Sequence, residues 1–198
     1  LVSTALQPGN ILVGSDVLWL CLLLYVRIYL DFGGYCDMAI GLRRLWGVRL
    51  PENFNFPFLA ASPVTFWRRW HITLSNFLRE YVYIPLGGSR CGPTRGVMNL
   101  LVTMLAAGIW HGAGWTFTLW GLGHGVALVI CHLWQRQERF RLPDWAGWGL
   151  TLGTVLPGWV LFRCHTLAEA GAMLGGLVSP TAGLSWPVDR QIARCGIY

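Results

Sequence analysis

Leu101–Gly125 reads LVTMLAAGIWHGAGWTFTLWGLGHG, with His111 at its middle in a Trp-His-Gly triplet. The apolar setting extends well beyond these residues: no charged residue lies between Arg95 and Arg136, a gap of 40 residues. At about 1.5 Å per helical residue that gap is roughly 60 Å of helix, two crossings of a hydrocarbon core of about 30 Å. A polar group at bilayer depth costs several kcal/mol unless it is paired, so an imidazole there marks a functional site by default.

Lengths within the stretch place the histidine. Val97 to Trp110 is 14 residues, about 21 Å of helix, which is short for a full span. His111-Gly112-Ala113-Gly114 makes a break, and Trp115 to Trp134 is long enough to cross. The pattern predicts His111 at the tip of a short re-entrant helix, within the membrane, where irregular backbone is tolerated only if it is buried in protein or lines a cavity.

Composition agrees. The chain is 54% hydrophobic and 12% charged, with 12 tryptophans, against about 25% charged residues in an ordinary soluble domain. The expected fold is an all-α polytopic membrane bundle with re-entrant and interfacial helices. The net charge of +6 comes entirely from arginine. These arginines flank apolar segments, as membrane anchors do, which argues for lipid and against nucleic acid as partner. Six scattered cysteines show no CxxC spacing, so neither a zinc site nor a redox pair is expected. The chain opens on Leu1 without a signal-peptide pattern. Residues 1–198 read as one piece, the C-terminal part of a longer membrane domain.

On the N-terminal side, Leu1–Asn10 is a lead-in, and Val17–Leu30 is an apolar helix that Ser15 or Asp16 can cap. Arg27 and Asp31 fall one helical turn apart and can pair. Gly33 and Gly34 are expected to break the helix, with a second short segment from Asp37 to Leu45 closed by Arg43 and Arg44. Gly47–Pro63 reads as ordered loop, including Pro51-Glu52-Asn53-Phe54-Asn55-Phe56-Pro57. Ser62-Pro63 is an N-cap with proline at the first helical position. It opens a predicted amphipathic helix from Val64 to Ile84, too charged to span and suited to the interface or the roof of a cavity. Arg69, Thr73, Asn76 and Glu80 share one stripe of that helix. His71 shares a row with Arg68, Ser75 and Arg79, beside Trp67 and Trp70.

On the C-terminal side, Gly121 and Gly125 stand in GxxxG spacing around His124, which predicts close helix packing with His124 hydrogen-bonded across the interface. His132 lies near the basic cluster Arg136, Arg139 and Arg141 and is expected at the interface. Trp145–Phe162 is an apolar helix capped by Asp144, with Pro157 a kink. Thr166-Leu167-Ala168-Glu169 is a capping box for a helix to about Val178. From Ser179 onward the chain reads as loop.

There is no Gly-x-Ser-x-Gly elbow, no HExxH and no carboxylate-histidine cluster at metal spacing. Histidine can instead act as a general base, taking the proton of an incoming hydroxyl, and an apolar site favours the neutral imidazole this requires. Transfer of an acyl group from a thioester to an alcohol fits His111. A second polar residue must orient the acyl carbonyl or meet the developing oxyanion, and His71 is the best remaining candidate.

Three stretches resemble the membrane-bound O-acyltransferase family in its bacterial polysaccharide branch. They are Tyr29–Gly41 (YLDFGGYCDMAIG), Pro51–Pro57 (PENFNFP) running into Phe66–Ser75 (FWRRWHITLS), and Gly108–Ala113 (GIWHGA). Tyr83–Arg90 and Trp120–Gly125 also match, so the resemblance spans roughly residues 20 to 165. The family pattern usually has Ser where Gly34 and Cys36 stand, and its members are longer.

That resemblance implies a ring of membrane helices around a thin partition. A central tunnel, present here in part, would let a donor on one side meet an acceptor from the other. It implies His111 as the essential histidine and His71 as the second active-site histidine. Asp37, Trp67, Arg68, Arg69, Trp110 and His124 are candidate tunnel or wall residues. The implied activity is acetylation of hydroxyls on an exported polysaccharide, alginate first, with another wall or capsule polymer as alternative. No bound cofactor is expected; acetyl-CoA or an acetyl-thioester carrier would be the donor. Periplasmic acetyl-transfer proteins would be partners, in a bacterial inner membrane. From other classes, a transporter or channel segment would explain Arg27, Asp31 and the buried histidines as an ion path, and a structural membrane subunit would give them no chemistry.

Overall fold

The computed structural model describes residues 14–137 and 142–177, all helix, turn or loop. The lead-in before Gly14, Arg139, Arg141, the segment from 178 onward and the side chains of Ser15 and Asp16 lie outside the described residues. Seven α-helices follow in order: α1 (Gly14–Leu45), α2 (Pro63–Trp67), α3 (Ile72–Leu78), α4 (Pro93–His111), α5 (Trp115–Arg136), α6 (Asp144–Arg163) and α7 (Leu167–Gly176). α1 and α5 are long and apolar enough to cross a membrane.

α1 is one helix of 32 residues, not two segments. Neither Gly33 nor Gly34 breaks it. A mid-helix glycine loses only about 1 kcal/mol against alanine, and in apolar surroundings an unbroken ladder is the way to satisfy the backbone. Its outward face carries Trp19, Leu30, Met38 and Leu42, each more than half exposed. Arg27 and Asp31 pair at 3.4 Å on the helix surface, a local ion pair and not an internal polar path.

The predicted helix 64–84 is interrupted. Ser62 caps α2 as expected, its hydroxyl accepting from the Thr65 N–H at 3.1 Å, but α2 lasts only to Trp67. His71 takes a left-handed conformation (φ 44°, ψ 55°) as the N-cap of α3, and a π-helical turn, Arg79–Tyr83, follows Leu78. The stripe of Arg69, Thr73, Asn76 and Glu80 is thereby cut. The cause is tertiary: loop 51–57 is stitched to the break, the Asn55 N–H donating to Arg69 O (3.0 Å) and the Ile72 N–H to Asn53 O (3.0 Å).

α4 begins at Pro93, earlier than the sequence suggested. Its 19 residues make about 28 Å of helix, so length alone no longer marks it as too short to cross. His111 is its last residue, with Gly112 as C-cap. α4 and α5 form an antiparallel hairpin in backbone contact. A Cβ on Gly108 would meet the Phe117 carbonyl oxygen and come within 3.2 Å of Gly121 Cα, and one on Gly121 would meet the Met104 carbonyl. Gly125 is similarly close to Leu101 and Met104. The glycine packing read from the GxxxG spacing is therefore present.

α6 runs through Pro157. Asp144 is its first residue, supplying first-turn acidity while Pro143 is the cap. The Thr166 hydroxyl accepts from the Glu169 N–H (3.2 Å), and the Glu169 carboxylate accepts from the His165 N–H (3.0 Å), a capping box shifted by one residue. The main core is aromatic: Tyr25 of α1, Phe66 of α2, Trp70 from the turn between α2 and α3, and Trp159 of α6, with the Trp70 and Trp159 centroids 4.9 Å apart. A smaller cluster of Leu74, Leu78, Ala107 and Trp120 joins α3, α4 and α5. The candidate site lies at the edge of this second cluster.

Candidate active site

His71 and His111 are brought to one place by two kinds of backbone ending. His111 closes α4, where the glycine seam with α5 holds the helix in register and Gly112 lets the chain leave. His71 is fixed in the left-handed turn that starts α3. Non-glycine residues rarely hold positive φ, and such strain clusters at functional sites. Trp110 stands against both: its ring centroid is 6.3 Å from His71 and 4.9 Å from His111.

Aromatic rings complete the wall around His111. Trp120 of α5 and Phe162 of α6 meet its imidazole at 5.1 and 5.0 Å, both nearly perpendicular. Phe32 of α1 meets His71 edge-on at 4.8 Å. Among the described residues no hydrogen-bond partner falls to His111.

His71 differs, because its Nδ1 lies 3.2 Å from Asn53 Oδ1. The same oxygen accepts from the Thr73 N–H (3.1 Å) and the Thr73 hydroxyl (2.7 Å). The Asn53 amide NH2 in turn faces Cys36 Sγ at 3.3 Å. Burial pushes the His71 imidazole down to about 4 from its usual 6.5, by desolvation first and by the nearby His111 second. Desolvation disfavours the charged form, so His71 is neutral at ordinary pH.

His124 lies one layer behind. It is buried, stacked at 6.5 Å on Phe66, perpendicular to Trp67 at 5.2 Å and at 66° to Trp120 at 5.0 Å. Gly158 of α6 makes room for it; a Cβ there would sit 2.7 Å from His124 Nε2. The interhelical hydrogen bond expected of His124 is not formed with any described residue, and ring packing takes its place. Among the described residues the buried indole N–H groups of Trp67 and Trp120 have no acceptor.

Trp67 also walls a cavity of about 390 Å³ on its other side. Arg68, Arg79, Thr103, His132 and Arg136 line this cavity with it. The three arginines form no ion pair with any described residue, so the mouth is cationic. Here the break at His71 has a clear effect. Arg68, Ser75 and Arg79, expected on the histidine's own row, line the cavity, while His71 turns to Asn53 and Phe32.

The remaining expected residues are peripheral. Arg69 is half-buried and holds loop 51–57 through its backbone carbonyl. Asp37 is exposed on α1 and makes no hydrogen bond or ion pair with the described residues. Asn53, Trp120 and Phe162 are site residues that the sequence reading did not single out. Asn53 carried one readable signal, a polar residue inside an aromatic, proline-bounded loop. Among the described residues no group of three His, Cys, Asp or Glu is placed to hold a metal ion.

The chain has recognisable relatives among known proteins. Residues 13–168 match the family model described as MBOAT, membrane-bound O-acyltransferase family. A peptidoglycan O-acetyltransferase of Helicobacter pylori is 46% identical over 164 residues, covering 81% of this chain and 31% of the relative. A protein named probable alginate O-acetylase, from Pseudomonas putida, is 46% identical over 165 residues, with 81% and 33% covered. A teichoic acid D-alanyltransferase of Streptococcus thermophilus is 32% identical over 119 residues, with 57% and 29% covered. This chain spans about a third of the length of the first two relatives. On the extent of the family match, together with the all-helical architecture, the chain belongs to the membrane-bound O-acyltransferase family.

Proposed function

We propose that this chain carries the catalytic histidines of a longer O-acyltransferase that moves an acetyl group from a thioester donor to hydroxyls of an exported polysaccharide. The observation that carries the proposal is the meeting of His71 and His111 in one aromatic-walled, largely desolvated site. His111 takes the proton of the incoming hydroxyl, and the oxygen attacks the thioester carbonyl. The carbon–sulfur bond then breaks, and the imidazolium returns its proton to the departing thiolate, releasing a thiol. His71 is the second polar group of the site. The indole N–H of Trp120, buried without an acceptor beside His111, is the donor for the developing oxyanion.

The cationic mouth of the cavity suits the phosphate-bearing end of a donor such as acetyl-CoA or a phosphopantetheine carrier, since arginine pairs with phosphate through a planar fork. Alginate is the first acceptor polymer, because several relatives carry that name. Cell-wall glycan is the second reading, favoured by an equally similar peptidoglycan enzyme. The protein works in the bacterial plasma membrane and crosses it more than once, in contact with lipid. Periplasmic acetyl-transfer proteins receive or complete the transfer.

The test is the acetyl content of the exported polysaccharide in cells carrying the full-length protein, wild type against His111→Ala, at equal membrane level. Loss of acetyl supports the base assignment. Retained acetylation overturns it and returns weight to transport or scaffolding.

A further inference from the structure

We propose that Asn53 is a positioning residue for His71: its side-chain oxygen holds the Nδ1–H tautomer, so that Nε2 faces the site as a hydrogen-bond acceptor for a sugar hydroxyl. The assignment follows from donors and acceptors alone. Two donors of Thr73, its N–H and its hydroxyl, converge on one side-chain atom of Asn53 at 3.1 and 2.7 Å. A backbone N–H can only donate, so that atom is the carbonyl oxygen; a flipped amide would set NH2 against N–H. An oxygen that only accepts requires a proton on any nitrogen bonded to it. His71 Nδ1, 3.2 Å away, therefore carries the hydrogen, and the lone pair of the neutral ring is at Nε2.

Asn53 is held for this task from both sides. Its backbone carbonyl accepts from the Ile72 N–H at 3.0 Å, and its side chain from the next N–H, that of Thr73. Together they cap α3 from a segment 18 or more positions away in sequence, replacing the local cap that His71 does not provide. Phe32 packs against the imidazole in an edge contact, its centroid 4.8 Å away. The titratable groups that face this unit are His111 from α4, the charge neighbour of His71, and the Cys36 thiol from α1, behind the Asn53 amide.

The consequence changes the role of His71. A neutral ring with its lone pair at Nε2 cannot donate to an oxyanion from that nitrogen. It can hold an O–H, and in a site that acylates polysaccharide the matching group is a hydroxyl of the acceptor sugar. The inference rests on the acyl-transfer reading of the site, and the experiment separates the two.

Rates are measured against pH in the full-length membrane protein for wild type, Asn53→Asp, Asn53→Ala and His71→Ala. Aspartate keeps an acceptor for Thr73 and for Nδ1 but places a carboxylate beside the ring, which favours the imidazolium. Asn53→Asp is expected to accumulate normally and to move the acid limb of kcat/KM up by at least about one pH unit. Asn53→Ala is expected to lower kcat/KM at least about tenfold, in the range of a lost positioned hydrogen bond. Should the alanine variant fail to accumulate, the aspartate variant decides. An unmoved acid limb in Asn53→Asp, with His71→Ala inactive, overturns the role of Asn53 alone. Full activity in His71→Ala overturns the role of His71 and that of Asn53 with it.

Discussion

The rings of His111 and Trp120 meet at 87° with centroids 5.1 Å apart, and the Trp120 indole N–H, in a residue only 2% exposed, has no acceptor among the described residues. In the proposed reaction that unpaired donor meets the charge that develops on the acyl oxygen. Trp120→Phe keeps an aromatic ring and removes the N–H. It is expected to lower kcat about 10²-fold, the range for one lost oxyanion donor, with little change in donor KM. A KM effect without a kcat effect would assign Trp120 to binding.

The cavity mouth predicts a different split. Arg68→Gln, Arg79→Gln and Arg136→Gln each remove a cation from the lining and leave the histidines untouched. Each is expected to raise the KM for a phosphate-bearing thioester about three- to tenfold, as for one charge-assisted hydrogen bond at a wet site, and to leave kcat within about twofold. Steady-state kinetics with acetyl-CoA, and with a short thioester lacking phosphate, give the check: the phosphate-free donor is expected to be indifferent to all three substitutions.

The depressed titration of His71 has a defined sign. Its folded value is about 4 against the usual 6.5, so between these values the unfolded chain binds more protons than the folded one. The contribution to stability is complete above about pH 6.5 and is lost as pH falls toward 4. Thermal unfolding of the full-length protein in detergent is expected to show a wild-type advantage over His71→Gln that shrinks across that window. A gap constant from pH 7 to pH 4 would contradict the burial.

The hairpin of α4 and α5 distinguishes two glycines on opposite faces of α5, two residues and about 200° apart. Gly121 is in backbone contact with α4, whereas nothing stands within 4 Å of a Cβ built on Gly123. Gly121→Ala is expected to destabilise the protein by about 1–3 kcal/mol or more, as overpacking does. Gly123→Ala is expected to be neutral or stabilising by up to about 1 kcal/mol from helix propensity. Melting temperatures of the two variants provide the test.

Local signals were the readable ones. The His111 tip follows from one apolar run interrupted by Gly112 and Gly114, the Ser62 and Thr166 caps from polar residues at helix starts, and the hairpin seam from GxxxG spacing. Each depends on residues within about one or two helical turns. The continuity of α1 through Gly33 and Gly34 is not legible locally, because a glycine that weakens a helix looks like a terminator, whereas apolar surroundings make an interrupted ladder the worse alternative. The break at His71 was invisible because its cause, the clasp from Asn53 and Asn55, comes from another segment. Asn53 lies in a loop, as the sequence indicates, but for the same reason nothing in PENFNFP says which helix start it caps. The aromatic wall is equally non-local, since Phe32, Trp120 and Phe162 come from three helices.

The backbone contact between Gly108 and Gly121 also works as a ruler for His111, three residues further along α4. A slip of one residue along that seam would move the imidazole about 1.5 Å along the helix axis and about 100° around it. Misplacement of a reacting group by about 1 Å can cost about 10²-fold in rate. Two hydrogen atoms in place of two side chains thus set the tolerance to which the proposed site is built, from a seam one helical turn away from the imidazole.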